Sequence, residues 1–161
     1  MNAKDANRKN AGKVTQLITR LFLPIMLVCL IDCSSNESDI PIRPVYIKRN
    51  IYTYSLSSYG SSLYIIKAVS LPSEEIGDGG ILIIHAFDGN YYAFDLACPV
   101  EVNENVRIGK PDGSLISKCD SCGERYDLSF GLGTPLNHIS KQPLKRYTVS
   151  TDDYNNIIVT K

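Results

Sequence analysis

"KCDSCGERYDLSFGLGTP", residues 118–135, holds two cysteines, three glycines, a tyrosine and a proline in eighteen positions. The spacing Cys119-x-x-Cys122 suits a metal or a redox disulfide. A third cysteine, Cys98 in "DLACPVE" (95–101), lies upstream with twenty residues between it and Cys119. Most structural metal sites use four ligands, so three cysteines pose a question about what they hold.

The sequence on either side is β-like. "SLYIIKAV" (62–69), "GILIIHAF" (80–87), "NYYAFDLA" (90–97), "SLISKC" (114–119), "KRYTVS" (145–150) and "NNIIVTK" (155–161) are short and rich in Ile, Val, Tyr and Phe. Gly, Pro, Asn or Asp punctuates most of the gaps between them, as in a sandwich or barrel. Asp88-Gly89-Asn90 predicts a hairpin between two apolar strands, and Pro111-Asp112-Gly113 a second turn. No sustained 3.6-residue apolar period occurs after the N-terminal region, which argues against long helices.

The first 32 residues have a different character. Lys4, Arg8, Lys9, Lys13 and Arg20 precede "LFLPIMLVCLI" (21–31), and "DCSSNESD" follows. A basic stretch, a short apolar run and then polar residues describe an export signal. The run is shorter than the roughly 20 residues of a spanning helix. Cys33 directly after it resembles the lipidated cysteine of a bacterial lipoprotein, although Asp32 stands where a small residue is usual; Cys29 is the other candidate. These features predict a signal at 1–32, a polar, proline-bearing linker at 33–44 and one domain at 45–161. They place the protein in the cell envelope, held to a membrane through an N-terminal lipid. The whole chain carries 17 basic and 17 acidic residues, and beyond residue 32 the balance is 12 to 15. Without clustered Lys and Arg, nucleic acid is excluded as a partner. Outside the cytoplasm a disulfide is permitted, and a free thiol needs a reason.

The order of landmarks from residue 79 to the C-terminus resembles the Rieske domain, a small β fold that holds a 2Fe-2S cluster between two loops. Those landmarks are the hairpin, Cys98-Pro99, Cys119-x-x-Cys122-Gly123, "YDLSFGLGTP" and "PLKRYTV". "IPIRPVYI" (40–47) after a lipoprotein-type cysteine is similar to a Rieske-like lipoprotein group of Bacteroidetes. The resemblance implies an all-β, Rieske-like small antiparallel β-sandwich with a cysteine-bearing subdomain inserted at 98–135. In that family one loop carries Cys-x-His and the other Cys-x-x-His. Here Val100 and Cys122 occupy the histidine positions. Two imidazoles on one iron raise a Rieske centre to about −150 to +300 mV, so ordinary Rieske electron transfer is not expected.

Three arrangements of Cys98, Cys119 and Cys122 stay open at this stage. They hold a variant 2Fe-2S cluster, with a carboxylate or His138 as fourth ligand. They bind zinc with His138, as Cys₃His. Or, because the resemblance sets the two loops face to face, Cys98 forms a disulfide with Cys122 or Cys119. A loop of this length closed by a disulfide gains about 3 kcal/mol, and the disulfide is the favoured expectation. A thioredoxin-like role for "CDSC" fails because no helix pattern follows it. No acid–base set or activated nucleophile converges, so an enzyme is not expected. Glu74, Glu75 and Asp78 read as an exposed loop, Glu101, Glu104 and Asp120 as solvated carboxylates, and His85 as a solvent-facing or hydrogen-bonded strand residue.

Overall fold

The computed structural model describes residues 38–68 and 73–161. The expected signal, Cys29, Cys33 and the first part of the linker lie outside them. Ten strands and no helix make up the described residues: β1 (Val45–Asn50), β2 (Ser62–Ile65), β3 (Glu75–Ile76), β4 (Ile81–His85), β5 (Tyr91–Asp95), β6 (Ile116–Lys118), β7 (Arg125–Asp127), β8 (Thr134–Pro135), β9 (Arg146–Thr151) and β10 (Asn156–Thr160). The all-β, antiparallel expectation holds. Seven strands form one sheet in the order β2-β4-β5-β9-β10-β1-β3, and β6-β7-β8 form a second. In the chain, the second sheet falls between β5 and β9, where the cysteine-bearing insertion was expected.

Two strands follow the period-2 rule closely. In β1, Val45, Ile47 and Arg49 point inward, and in β10 Ile157 and Val159 do, as expected where one face meets solvent. β4 does not alternate: all five of its residues are buried. Ile81 and Ile83 join Val45, Ile47, Leu56, Ala93, Tyr147, Ile157 and Val159 in one core, to which both halves of the large sheet contribute. Leu82 and Ile84, on the opposite face, join Phe94, Leu96, Cys98, Ile108, Cys119, Tyr126 and Leu128 in another. The second core lies between the large sheet and the small one. The continuous apolar run of "ILIIH" is the mark of a strand covered on both faces.

The predicted turns form. Asp88 accepts from the Asn90 N–H at 3.0 Å, and Gly89 takes a φ of 85°, the left-handed conformation that favours glycine. Asp112 accepts from the N–H groups of Ser114 and Ile116, both at 2.9 Å. Gly131 also has positive φ, and a Cβ there would lie 2.4 Å from the Tyr92 ring. This close approach seats the "GLG" turn against β5, with the Arg146 guanidinium over the same ring at 4.6 Å.

Of the three acidic residues assigned to an exposed loop, Glu75 is exposed as expected and the side chains of the other two are buried. Glu74 and Arg49 form a buried ion pair, their side chains 2% and 3% exposed, with a second contact between Arg49 Nη2 and Glu74 Oε2 at 3.1 Å. Asp78, whose side chain is also buried, pairs with Arg43 at 2.6 Å. Glu75 lies in β3. Sequence alone misses this because the charges balance only once β1 and the 74–78 segment are side by side. His85 is not on a solvent face. It is buried between Tyr91, stacked at 4.3 Å, and Tyr59 at 4.8 Å, and its Nδ1 has no hydrogen-bond partner. Of the stretch expected as a linker, the described part lies against the domain. Ile40 is buried, Asp39 meets Gln142, and Lys145 donates to the carbonyls of Ile40 and Pro41.

Candidate metal centre

The three cysteines meet at the boundary between the two sheets, and backbone hydrogen bonds place them there. β5 ends at Asp95, whose buried carboxylate accepts four hydrogen bonds. Oδ1 takes the N–H groups of Ala97 and Gly79, each at 2.8 Å. Oδ2 takes the Asp78 N–H at 2.9 Å and the Tyr147 hydroxyl at 2.6 Å. Burial first, and the Asp95 charge second, hold the Tyr147 hydroxyl protonated far above its ordinary range. The chain after β5 is thereby held in one path, and Cys98 follows three residues on.

Segment 106–108 then joins the two cysteine loops. The Cys98 N–H donates to Val106 and the Ile108 N–H to Leu96, both at 2.9 Å. Ala97 bridges Arg107 on one side of the segment, and Ile108 bridges Cys119 on the other. At the end of β6 the chain reverses in a tight turn. The Gly123 N–H donates to Cys119 and the Cys119 N–H to Glu124, both at 2.9 Å. Gly123 takes a φ of 80°, and the turn brings Cys122 back over Cys119. No helix follows, in keeping with the exclusion of a thioredoxin-type thiol.

The three sulfurs lie within 4.8 Å of one another, and Cys98 Sγ is 3.7 Å from Cys122 Sγ. All three cysteines are free; Cys98 and Cys119 are buried and Cys122 is half-buried. Burial pushes the Cys98 thiol up to about 12, with the Cys119 thiol adding to it against hydrogen bonds from the N–H groups of Val100 and Glu101. Burial also raises Cys122, against the Glu124 N–H. The Tyr126 hydroxyl sits 3.9 Å from Cys98 Sγ and is itself held protonated, mainly by burial and then by Cys98. A protonated Cys122 with no imidazole in the group is not an activated nucleophile.

His138 is not brought to the sulfurs. It is exposed, at a φ of 59°, and faces a shallow groove with Leu132, Thr134, Lys141 and Pro143. Among the described residues the metal-competent group at this place is the three cysteines, without a carboxylate or histidine. Val100, at the position that the resemblance gives to a histidine, is 36% exposed. Asp120 and Glu104 are exposed, as expected, though Glu104 pairs with Arg43 at 2.8 Å. Glu101 accepts from the Ser121 hydroxyl at 2.8 Å, a tie between the two loops.

Sequence reasoning missed Glu124. It is fully buried, and its carboxylate accepts from the N–H groups of Arg125 at 2.9 Å, Asn137 at 2.8 Å and Ser140 at 2.8 Å. Burial alone would raise its pKa, but these peptide N–H groups outweigh it and hold the carboxyl below its usual range. Glu124 thus pins segment 137–140 beside the Cys122 turn. Its position two residues after a Cys-x-x-Cys was the available signal.

No protein-family model matches the chain, and no curated protein does. Solved structures similar to it include the following two. One, assigned as the small subunit of an NADH-dependent nitrite reductase from Mycobacterium tuberculosis, has a TM-score of 0.42 and 14% identity over 74% of this chain and 96% of its own. The other is the ferredoxin of carbazole 1,9a-dioxygenase from Nocardioides aromaticivorans IC177, with a TM-score of 0.43 and 16% identity over 72% of this chain and 95% of its own.

The donor set does not fit a two-imidazole 2Fe-2S cluster. No histidine is among the gathered atoms, which are sulfurs converging on one point. A two-iron cluster needs donors divided between two metal atoms, and three thiolates leave one iron short.

Proposed function

We propose that the protein is a cell-envelope lipoprotein, anchored through Cys33, whose domain is of the Rieske type with Val100 and Cys122 in place of its two histidines. Its two cysteine loops are joined through sulfur, and it is a tethered structural or binding module, neither an enzyme nor a Rieske-potential electron carrier. The observation that carries this is the convergence of Cys98, Cys119 and Cys122, from two separate loops, within 4.8 Å. The ordered Cys-Pro, Cys-x-x-Cys-Gly and Tyr-Asp landmarks support the Rieske assignment. The apolar run at 21–31 followed by Cys33 supports the lipid anchor.

In the oxidised form Cys98 and Cys122 are bridged. Their sulfurs must close from 3.7 Å to about 2.05 Å. The two thiols pass two electrons and two protons to a disulfide oxidant of the envelope, which leaves as a dithiol. Cys119 stays free, buried beneath the bridge.

Anaerobic purification followed by iron, sulfide and zinc analysis tests the site. Fewer free thiols than cysteines are expected in denatured, unreduced protein, after allowing for the lipidated one. A stoichiometric two irons and two sulfides overturns the reading. The anchor is tested separately, since Cys33→Ala is expected to release the protein from the membrane fraction or stall its processing. Unchanged fractionation with Cys33→Ala, together with altered fractionation for Cys29→Ala, would move the anchor.

A further inference from the structure

In the reduced protein, we infer that Cys98, Cys119 and Cys122 form a three-sulfur site for one thiophilic cation, Zn²⁺ or Cu⁺. This rests on the loops being joined through sulfur, and it names what joins them when no disulfide does. The first ground is distance. A tetrahedral ion with metal–sulfur bonds of about 2.3 Å sets its sulfurs about 3.8 Å apart. Cys98 and Cys122 stand at 3.7 Å, and Cys119 is within 4.8 Å of both. One ion fits among them with small side-chain shifts.

The second ground is what surrounds the sulfurs. Cys98 and Cys119 are buried and Cys122 is half-buried, so an ion held by them is largely shielded from water. The Tyr126 hydroxyl lies 3.9 Å from the Cys98 sulfur. A hydroxyl beside sulfur suits a thiolate bound to metal, and such outer partners orient ligands and tune affinity. A disulfide, whose sulfurs carry no charge, has little use for it.

The donor chemistry selects the ion class. Thiolates favour Zn²⁺ and Cu⁺, whereas Mg²⁺ and Ca²⁺ seek oxygen, and the group contains no carboxylate. The protein supplies three donors, so a four-coordinate ion completes its shell from solvent and a three-coordinate ion needs nothing more. Binding exchanges the thiol protons for the cation, one for each sulfur bound. Oxidation to the Cys98–Cys122 bridge removes two of the three ligands and expels the ion.

The test uses the full chain, reduced under nitrogen. Zn²⁺ is titrated against a competing chelator, Cu⁺ in a parallel arm, Co²⁺ as a spectroscopic stand-in, and Mg²⁺ as control. Saturation at one ion per chain is expected in the Zn²⁺ or the Cu⁺ arm, with proton release and a higher melting temperature. Co²⁺ is expected to give sulfur-to-cobalt charge-transfer bands. Cys98→Ser is expected to abolish binding, while Cys29→Ser/Cys33→Ser keeps it. Tyr126→Phe keeps the stoichiometry and weakens binding about tenfold. Should Cys98→Ser fail to fold, protection of the native thiols from alkylation by added Zn²⁺ or Cu⁺ reads the same site. A reduced chain that binds neither ion overturns the inference, and a Cys98–Cys122 bridge formed when that chain is reoxidised leaves the disulfide reading standing. Two irons with two sulfides overturn both. Ion binding without any bridge on oxidation supports the inference and removes the disulfide.

Discussion

Glu124 and Asp95 show how single buried carboxylates set the cysteine loops. Each is fully buried, and each has hydrogen-bond donors rather than a cation as its neighbours in the contacts described above. Removing Glu124 leaves the N–H groups of Asn137 and Ser140 without their acceptor, and an unmade buried hydrogen bond costs about 1–3 kcal/mol. Glu124→Ala is therefore expected to lower stability by about 3 kcal/mol, measured by urea unfolding. Faster proteolysis within 136–140 should accompany it. Glu124→Gln, which keeps one carbonyl acceptor, should cost less. Equal losses for the two variants would mean that charge, and not hydrogen bonding, holds the segment.

At the scale of the element, β1 carries a test of buried pairing. Arg49 and Glu74 are both buried and joined by two contacts, and removing one partner of such a pair costs about 3–5 kcal/mol. Glu74→Ala is expected to fall in that range. Arg49→Met/Glu74→Leu should recover most of the loss, because apolar packing replaces the pair without stranding a charge. A double variant no more stable than Glu74→Ala would sink this account. The β9–β10 hairpin gives a pH dependence. Asp152 accepts from the N–H groups of Tyr154 and Asn156 and pairs with Lys48 at 2.9 Å. The Lys48 bond first, and the Asn156 bonds next, hold its carboxyl well below the usual range. A depressed folded value means that the contribution is complete above the unfolded pKa of about 3.9 and is lost as pH falls toward the folded one. Thermal unfolding followed from pH 6 downward should show an acid loss that Asp152→Asn makes shallower.

Across the whole molecule, β4 is shared between two cores, so the small sheet and the large one are expected to unfold together. Leu82→Ala empties one core and Ile83→Ala the other, each at about 2–5 kcal/mol. Both should shift a single transition by similar amounts. Far-ultraviolet circular dichroism and tyrosine fluorescence should trace it coincidentally, the test of two-state behaviour. Two separated transitions in Leu82→Ala would instead make the cysteine-bearing insertion an independent folding unit.

Short-range chemistry was legible in the amino-acid sequence. The apolar β segments, the turns at Asp88-Gly89-Asn90 and Pro111-Asp112-Gly113, and the Cys119-x-x-Cys122 spacing are statements about neighbouring residues, and they led to an all-β domain. β3, β7 and β8, of two or three residues, carry too little apolar pattern to be read, unlike β6 within "SLISKC", and β1 shows its alternation only beside β10. The pairing of Arg49 with Glu74, the burial of His85 and the pinning role of Glu124 depend on partners 13 to 26 residues away or on a neighbouring strand, beyond the range of local pattern. Local pattern could not bring the three sulfurs together; only the resemblance implied that their loops face each other, and the tertiary structure decided how they meet. The sequence named the cysteines, but the Ala97–Arg107 and Ile108–Cys119 bridges bring their loops together. His138 has the chemistry of a fourth ligand, yet the backbone of its loop leaves it in solvent.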